Sequence, residues 1–315
     1  MSVRHLISVH DLTRDELAGI FRLTADLKAN PEKYCSALSG KSLAMIFQKS
    51  STRTRVSFEV GMTQLGGHAL FLSSRDIQLG RGETIADTAR VLARYTDGIM
   101  ARTFAHQDVL DLAQWSSVPV INALTDDLHP CQAVADYFTL TEEFGSELRG
   151  RKIAYVGDGN NVAHSLLFGA AKVGMDIAIA SPEPYRVQEK YLEPARADAD
   201  AAGTAITLTT DPAEAVAEAS AVYTDVWASM GQEEEASRRL KAFAGFTVDQ
   251  GLMAKALPEA VFLHCLPCHR GEEVAAEVVD GPRSRIFDEA ENRMHVQKAM
   301  MLWLMGGVEL SSLLL

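Results

Sequence analysis

Apolar positions in the first half of the chain fall into short solid runs separated by longer amphipathic stretches. Runs at 42–47, 68–73, 98–104 and 118–124 predict strands, and the stretches at 52–65, 84–95, 106–115 and 130–143 predict helices. A further helix opens the chain. Thr13 and Glu16 form a capping box, Leu12 and Leu17 are placed as a hydrophobic staple, and Leu17, Ile20, Phe21 and Leu27 share one face. Strand and helix in strict alternation predict a parallel sheet with helices on its faces.

Two glycines and charges in the segment from Gly145 to Gly150 break the alternation. Lys152 to Val156 then begins a second series, with strands expected near 176–181, 205–210, 220–226, 246–249, 260–266 and 284–287. The prediction is an α/β protein with two doubly wound parallel-sheet domains, residues 1–147 and 148–290. A last amphipathic segment, about 291–315, has no strand after it and is expected to pack back on the first domain. Ligands of such sheets bind at the carboxyl ends of the strands, so the active site is expected in the cleft between the domains.

Composition narrows the partners. The chain has 315 residues, 47% hydrophobic and 23% charged, with a net charge of −12. A nucleic acid or an anionic membrane would be repelled except at a local basic patch, so neither is expected as a partner. No run approaches the 18 apolar residues of a membrane span, and the N-terminus lacks a signal-peptide core, so the cytoplasm is the expected location. Four cysteines at 35, 131, 265 and 268 are too few and too uneven for a secreted disulfide framework. Cys265-Leu-Pro-Cys268-His269 matches a c-type haem pattern, half a zinc site and a redox pair. Each reading is weak, since no second Cys/His pair stands nearby and Pro267 follows a strand-like run.

Candidate chemistry sits where strands end. Ser51-Thr52-Arg53-Thr54-Arg55 lies between a strand and a helix, where free backbone N–H groups and the positive end of the helix dipole face any bound anion. Arg53 and Arg55 add forked donors suited to phosphate oxygens. The same residues equally fit a well-capped helix start on a solvated face. Gly157-Asp158-Gly159-Asn160-Asn161 follows the first strand of the second domain, but Val162 and Ala163 stand where the third glycine of a dinucleotide fingerprint belongs. A packing turn, or a grip by the two asparagines on an amino-acid backbone, stays open beside it. Arg102, His129-Pro-Cys-Gln132 and Asp225 recur at further strand ends.

Taken as a set, these motifs resemble the ornithine carbamoyltransferases. Ser51-Thr-Arg-Thr-Arg55, His129-Pro-Cys-Gln132, Asp225-Val-Trp-Ala-Ser-Met-Gly231 and His264-Cys-Leu-Pro267 stand in that family's order and rough spacing, over a stretch from the first helix to about Gly307. The resemblance implies transfer of the carbamoyl group of carbamoyl phosphate to the δ-amine of L-ornithine, giving L-citrulline and phosphate, without cofactor or metal. Residues 1–147 would bind carbamoyl phosphate and 148–290 ornithine. It assigns Ser51, Thr52, Arg53 and Thr54 to the phosphate, with Arg102, His129, Gln132, Cys265, Leu266 and Arg293 around the carbamoyl group. Asn161, Asp225, Ser229 and Met230 would hold ornithine, and Arg53, Arg102, His129, Asp225 and Cys265 would take part in catalysis. It further implies a homotrimer in which Gln78 reaches a neighbouring subunit's site.

Two positions depart from the family pattern, Gln48 for a frequent Glu and Cys268 for a common Ala. The second explains the haem-like match as coincidence and raises oxidative pairing of Cys265 with Cys268 as an off-switch. Competing expectations are transfer to aspartate, putrescine or N-acetylornithine, a nicotinamide-dependent oxidoreductase, and a non-catalytic amino-acid binder. Asp225 with Ser229 and Met230 favours a free diamino acid.

Overall fold

The computed structural model describes residues 3–75, 77, 82–228 and 235–313. Its chain packs into two compact units, Met1–Val134 with Glu291–Leu315, and Ala135–Ala290. In the first unit the strands are β1 (Ser42–Phe47), β2 (His68–Ser73), β3 (Gly98–Arg102) and β4 (Val120–Leu124), all parallel in the order β2-β1-β3-β4. Its helices are α1 (Arg14–Ala29), α2 (Thr52–Gln64), α3 (Ile85–Tyr95), α4 (His106–Trp115) and the first turn of α5 (Pro130–Phe144). Each predicted element of this half is present. β1, β3 and β4 are buried on both faces, as strands of a covered parallel sheet must be, whereas β2, at the edge, is only partly covered. Ala44, Ile46, Ile99, Ala101, Leu112 and Val120 form its core, and burial of each large aliphatic side chain contributes about 1.5–3 kcal/mol.

The N-terminal cap has the geometry expected of it. Glu16 N–H donates to Thr13 Oγ1 at 3.0 Å, Thr13 N–H donates to Glu16 Oε2 at 2.8 Å, and the stapling residues Leu12 and Leu17 are both buried.

The second unit has β5 (Lys152–Val156), β6 (Asp176–Ala180), β7 (Ile206–Thr209), β8 (Ala221–Tyr223) and β9 (Val261–Leu263), parallel in the order β7-β6-β5-β8-β9. Around them run α6 (Asn161–Val173), α7 (Glu189–Ala202), α8 (Pro212–Val216), α9 (Ala236–Ala242), α10 (Gln250–Met253) and α11 (Ala276–Val279). Helix α12 (Ile286–Gly306) carries residues of both units. Beyond Glu291 it lies against α2, where a Cβ on Gly61 would come within 3.1 Å of Met301 and 3.2 Å of Lys298.

Two expected strands are absent. Around 246–249 only Val248 bridges, to Val274, and Asp249 turns away to cap α10. Phe246 and Val248 are apolar because they fill the core. Around 284–287 only Ser284 bridges, to Phe262, before Ile286 enters α12. Such runs satisfy an apolar pattern with one ladder contact.

In both sheets the chain order reverses at a switch point, between β1 and β3 and between β5 and β8. Loops leaving those carboxyl ends diverge and leave room for a ligand. Among the described residues no helix is long and apolar enough to cross a membrane.

Candidate active site: an arginine cluster and a carboxylate cluster

At the switch point of the first sheet, β1 leads through Gln48 to Ser50 into α2. Ser51 is extended (φ −162°, ψ 117°) and caps that helix, its Oγ accepting from Thr54 N–H at 3.2 Å. Thr54 is buried, whereas Thr52 and Arg53 are exposed on the first turn. Arg55 is engaged locally: its guanidinium lies 3.8 Å over the Phe71 ring, and its Nε donates to Glu59 at 3.1 Å. Beside this turn a cavity of about 280 Å³ is lined by Ser50, Ser51, Thr52, Arg55 and Arg75, among others.

Arg102 ends β3 opposite Phe47 of β1 and is buried. His129 stands just before Pro130, which opens α5, and is also buried. From α12, Arg293 donates through Nη1 to Gln132 Oε1 and through Nη2 to Thr54 Oγ1 at 3.5 Å. The consequence falls on His129. Burial, and then the guanidinium charges of Arg293, Arg102 and Arg53, hold its imidazole well below the usual histidine range. It is therefore neutral at physiological pH, a donor and acceptor among fixed cations. Ser51, Thr52, Arg53, Thr54, Arg102, His129, Gln132 and Arg293 thus all belong to the first unit, and seven of the eight touch or electrostatically influence another of the set.

The second sheet carries the opposite chemistry. After β5, Asn160 caps α6, its Oδ1 accepting from Val162 N–H at 2.9 Å and Ala163 N–H at 3.2 Å. Its Nδ2 donates to Asp225 Oδ2 at 2.7 Å. Asp225, two residues beyond β8, also receives Val226 N–H at 2.8 Å and the Cys265 thiol at 3.1 Å on Oδ1. Burial, and then the facing Asp225 carboxylate, push the Cys265 thiol well above the usual range. It is a neutral donor and unsuited to nucleophilic attack, which needs thiolate. Behind it, Leu266 takes φ +58°, uncommon for a residue with a Cβ. Its N–H donates to His264 Nδ1 at 2.9 Å.

Asn161, the residue expected at ornithine, begins α6 and is half-buried; its neighbour Asn160 is the one bonded to Asp225. The helix-capping rule pointed there, because a cap stands just before the apolar face that begins at Val162. Sequence pattern carries no sign that Asp158 pairs with Arg239, 81 residues away. Arg239 Nη1 donates to Asp158 Oδ2 and to the Trp227 carbonyl, each at 2.7 Å. Burial outweighs that pairing, and the Asp158 carboxyl is raised to about 6. Nor did sequence patterning single out Glu289, whose Oε2 accepts His264 N–H at 2.9 Å and whose Oε1 accepts the Tyr223 hydroxyl at 3.2 Å. Gln78, Ser229 and Met230 lie outside the described residues. Cys265 and Cys268 are free thiols with different partners, Asp225 for the first and Arg270 Nη1 at 3.7 Å for the second.

Comparison with known proteins decides the ancestry. Residues 4–142 match the carbamoyl-P binding domain of aspartate/ornithine carbamoyltransferases, and residues 149–304 match their Asp/Orn binding domain. The chain belongs to the aspartate/ornithine carbamoyltransferase family. Within that family it is 58% identical over 307 residues to the ornithine carbamoyltransferase of Symbiobacterium thermophilum, covering 96% of this chain and 98% of the relative. It is 54% identical over 298 residues to that of Bacillus subtilis, covering 95% of this chain and 92% of the relative. The solved ornithine carbamoyltransferase of Pyrococcus furiosus superposes with a TM-score of 0.94 at 52% identity, over 98% of this chain and 99% of that one.

Proposed function

We propose that this enzyme transfers the carbamoyl group of carbamoyl phosphate to the δ-amine of L-ornithine, releasing L-citrulline and phosphate. The carrying observation is the pairing, in a chain of this family, of a neutral His129 set among three arginines with a buried Asp225 held by neutral donors. Ser51, Thr52, Arg53 and Thr54 bind the phosphate on the first turn of α2, where backbone N–H groups and the helix dipole favour a dianion. Arg102, His129, Gln132 and Arg293 surround the carbamoyl group, completed by Cys265 and Leu266. Attack makes a tetrahedral centre whose former carbonyl oxygen gains charge. Fixed donors stabilise that charge more than the ground state, and they need no reorganisation as it forms.

On the acceptor side Asn161, Asp225, Ser229 and Met230 hold ornithine, with Asn160 as a positioning residue. The amine attacks only when neutral. Asp225 already accepts three hydrogen bonds, which fix its orientation toward the amine. No acyl-enzyme forms, because a protonated Cys265 is no nucleophile and the departing phosphate itself takes the amine proton. Residues 1–147 serve the donor and 148–290 the acceptor, a division supported by the two family-domain matches, and the return of the segment from 291 to the donor half is supported by its packing with the first unit. The family resemblance supports a role in arginine metabolism and a homotrimer with Gln78 acting in trans, and four free thiols support a cytoplasmic setting.

The test is a ureido-product assay with carbamoyl phosphate and, in turn, ornithine, putrescine, N-acetylornithine and aspartate. Product with ornithine alone is expected. Faster turnover with any other acceptor would overturn the assignment, and sedimentation of the purified protein as a monomer would remove the trimer.

A further inference from the structure

Outside both clusters, His269, Glu272 and Glu273 on the loop after β9 each bring one ligand atom within 4.8 Å of the others. Surface carboxylates often gather without purpose. Glu273 is different, because its side chain is 0% exposed. Its Oε1 accepts two hydrogen bonds, from His269 N–H at 2.5 Å and from His264 Nε2 at 3.2 Å, whose Nδ1 already accepts Leu266 N–H. Its Oε2 is buried and receives no hydrogen bond. That oxygen lies 3.7 Å from His269 Nδ1, and Glu272 Oε2 lies 3.8 Å from the same nitrogen. A buried carboxylate oxygen without a donor is costly, a penalty that a cation in front of it would offset.

One imidazole and two carboxylates select the kind of cation. Magnesium and calcium prefer all-oxygen shells, whereas imidazole beside carboxylate suits zinc, cobalt or nickel. Metal–ligand distances of about 2.0–2.2 Å place neighbouring ligands of a tetrahedral ion roughly 3.3–3.6 Å apart. The observed spacings need only small side-chain shifts to reach that. His269 and Glu272 are 51% and 48% exposed, so an ion can enter and keep water in its remaining positions.

We propose that His269, Glu272 and Glu273 form a binding site for one divalent transition-metal ion, separate from the Asp225 and Cys265 cluster. An ion there draws on the carboxylate that holds His264, and His264 holds Leu266, so it clamps the loop that presents Cys265 to Asp225. The ion acts on loop geometry and takes no part in carbamoyl transfer.

The rival trio Asp225, His264 and Cys265 also gathers its ligand atoms within 4.8 Å, and the experiment must separate the two. Co²⁺ is titrated into the purified full-length protein, with uptake followed by equilibrium dialysis and by visible absorption. The expected result is one ion per chain, with ligand-field bands and no thiolate-to-cobalt charge-transfer band. Affinity should weaken roughly tenfold or more in His269→Gln and in Glu272→Gln, and stay unchanged in Cys265→Ser. Both glutamine variants alter half-exposed side chains and should keep the thermal unfolding midpoint of the metal-free protein. Absence of saturable uptake, uptake indifferent to both glutamine substitutions, or a thiolate band abolished by Cys265→Ser would each overturn the proposal.

Discussion

The two clusters use the same backbone device with opposite electrical sign. Each lies where strand order reverses in a parallel sheet, and each leans on the first turn of a helix, α2 in one and α6 in the other. Around α2 three guanidinium groups act on a histidine that burial and their charge keep neutral. After β5 and β8 a carboxylate is surrounded by an amide, a backbone N–H and a thiol that burial and the carboxylate's own charge keep protonated. The architecture supplies a place for a ligand, and the loops decide whether that ligand is an anion or an amine. Fold alone therefore predicts location and says little about chemistry.

The comparison breaks most sharply at Arg53. Arg53→Ala should lower kcat/KM for carbamoyl phosphate by about 10²–10³, the order lost with one fixed charge-stabilising donor. Ornithine binding, measured by calorimetry, should change little. Equal losses in both would show that the clusters do not divide the substrates.

Asp225→Asn is the matching change on the other side. Removing a charged acceptor should reduce kcat/KM for ornithine by about 10- to 100-fold while carbamoyl phosphate still binds. A second readout sharpens it. Because Asp225 is the main charge raising the Cys265 thiol, the variant should alkylate faster at pH 8 than wild type; an unchanged rate would mean that burial alone protects the thiol.

Asn160→Asp tests positioning. Aspartate caps helices as well as asparagine does, so the unfolding midpoint should move by no more than about 1 kcal/mol equivalent. It would also set a second carboxylate where Nδ2 now donates to Asp225 at 2.7 Å. Two such neighbours do not both ionise freely. The acid limb of the kcat/KM profile for ornithine should shift upward in pH, and a profile matching wild type would remove Asn160 from the site.

The smallest effect concerns His129. Its folded pKa lies below the ordinary 6.5, so the unfolded chain binds a proton that the native state refuses. Its contribution to stability is thus full above about pH 6.5 and declines as pH falls toward the folded value. Urea midpoints between pH 7.5 and 5.5 should drop more steeply in wild type than in His129→Gln. Parallel slopes would mean that neither burial nor the arginines hold the ring below its ordinary range.

Much of this was legible in the residues, and unevenly so. Strands such as Ser42–Phe47 and Gly98–Arg102 are solid apolar runs buried on both faces, long enough to be read as strands from pattern alone. The segments around Val248 and Ser284 mimic strands because one bridge, together with core positions at Val248 and Ile286, leaves much the same apolar trace as a ladder. Within the site, Arg53, Arg102, His129 and Asp225 were readable because polar residues recur where strands end. Glu289 and Glu273 were not. Their partners, His264 above all, are set by tertiary packing across 25 and nine residues of sequence, a relation that local pattern does not carry.

Asn160 closes two circuits with one amide, holding the start of α6 with its oxygen and Asp225 with its nitrogen. Serine, threonine and aspartate are ordinarily interchangeable with asparagine at the head of a helix, and drift among them is silent. At this position the exchange is audible. A lineage that wandered to any of the three would keep its fold and its expression while its handling of the amine decayed, so damage here would escape every screen that looks only for a folded protein.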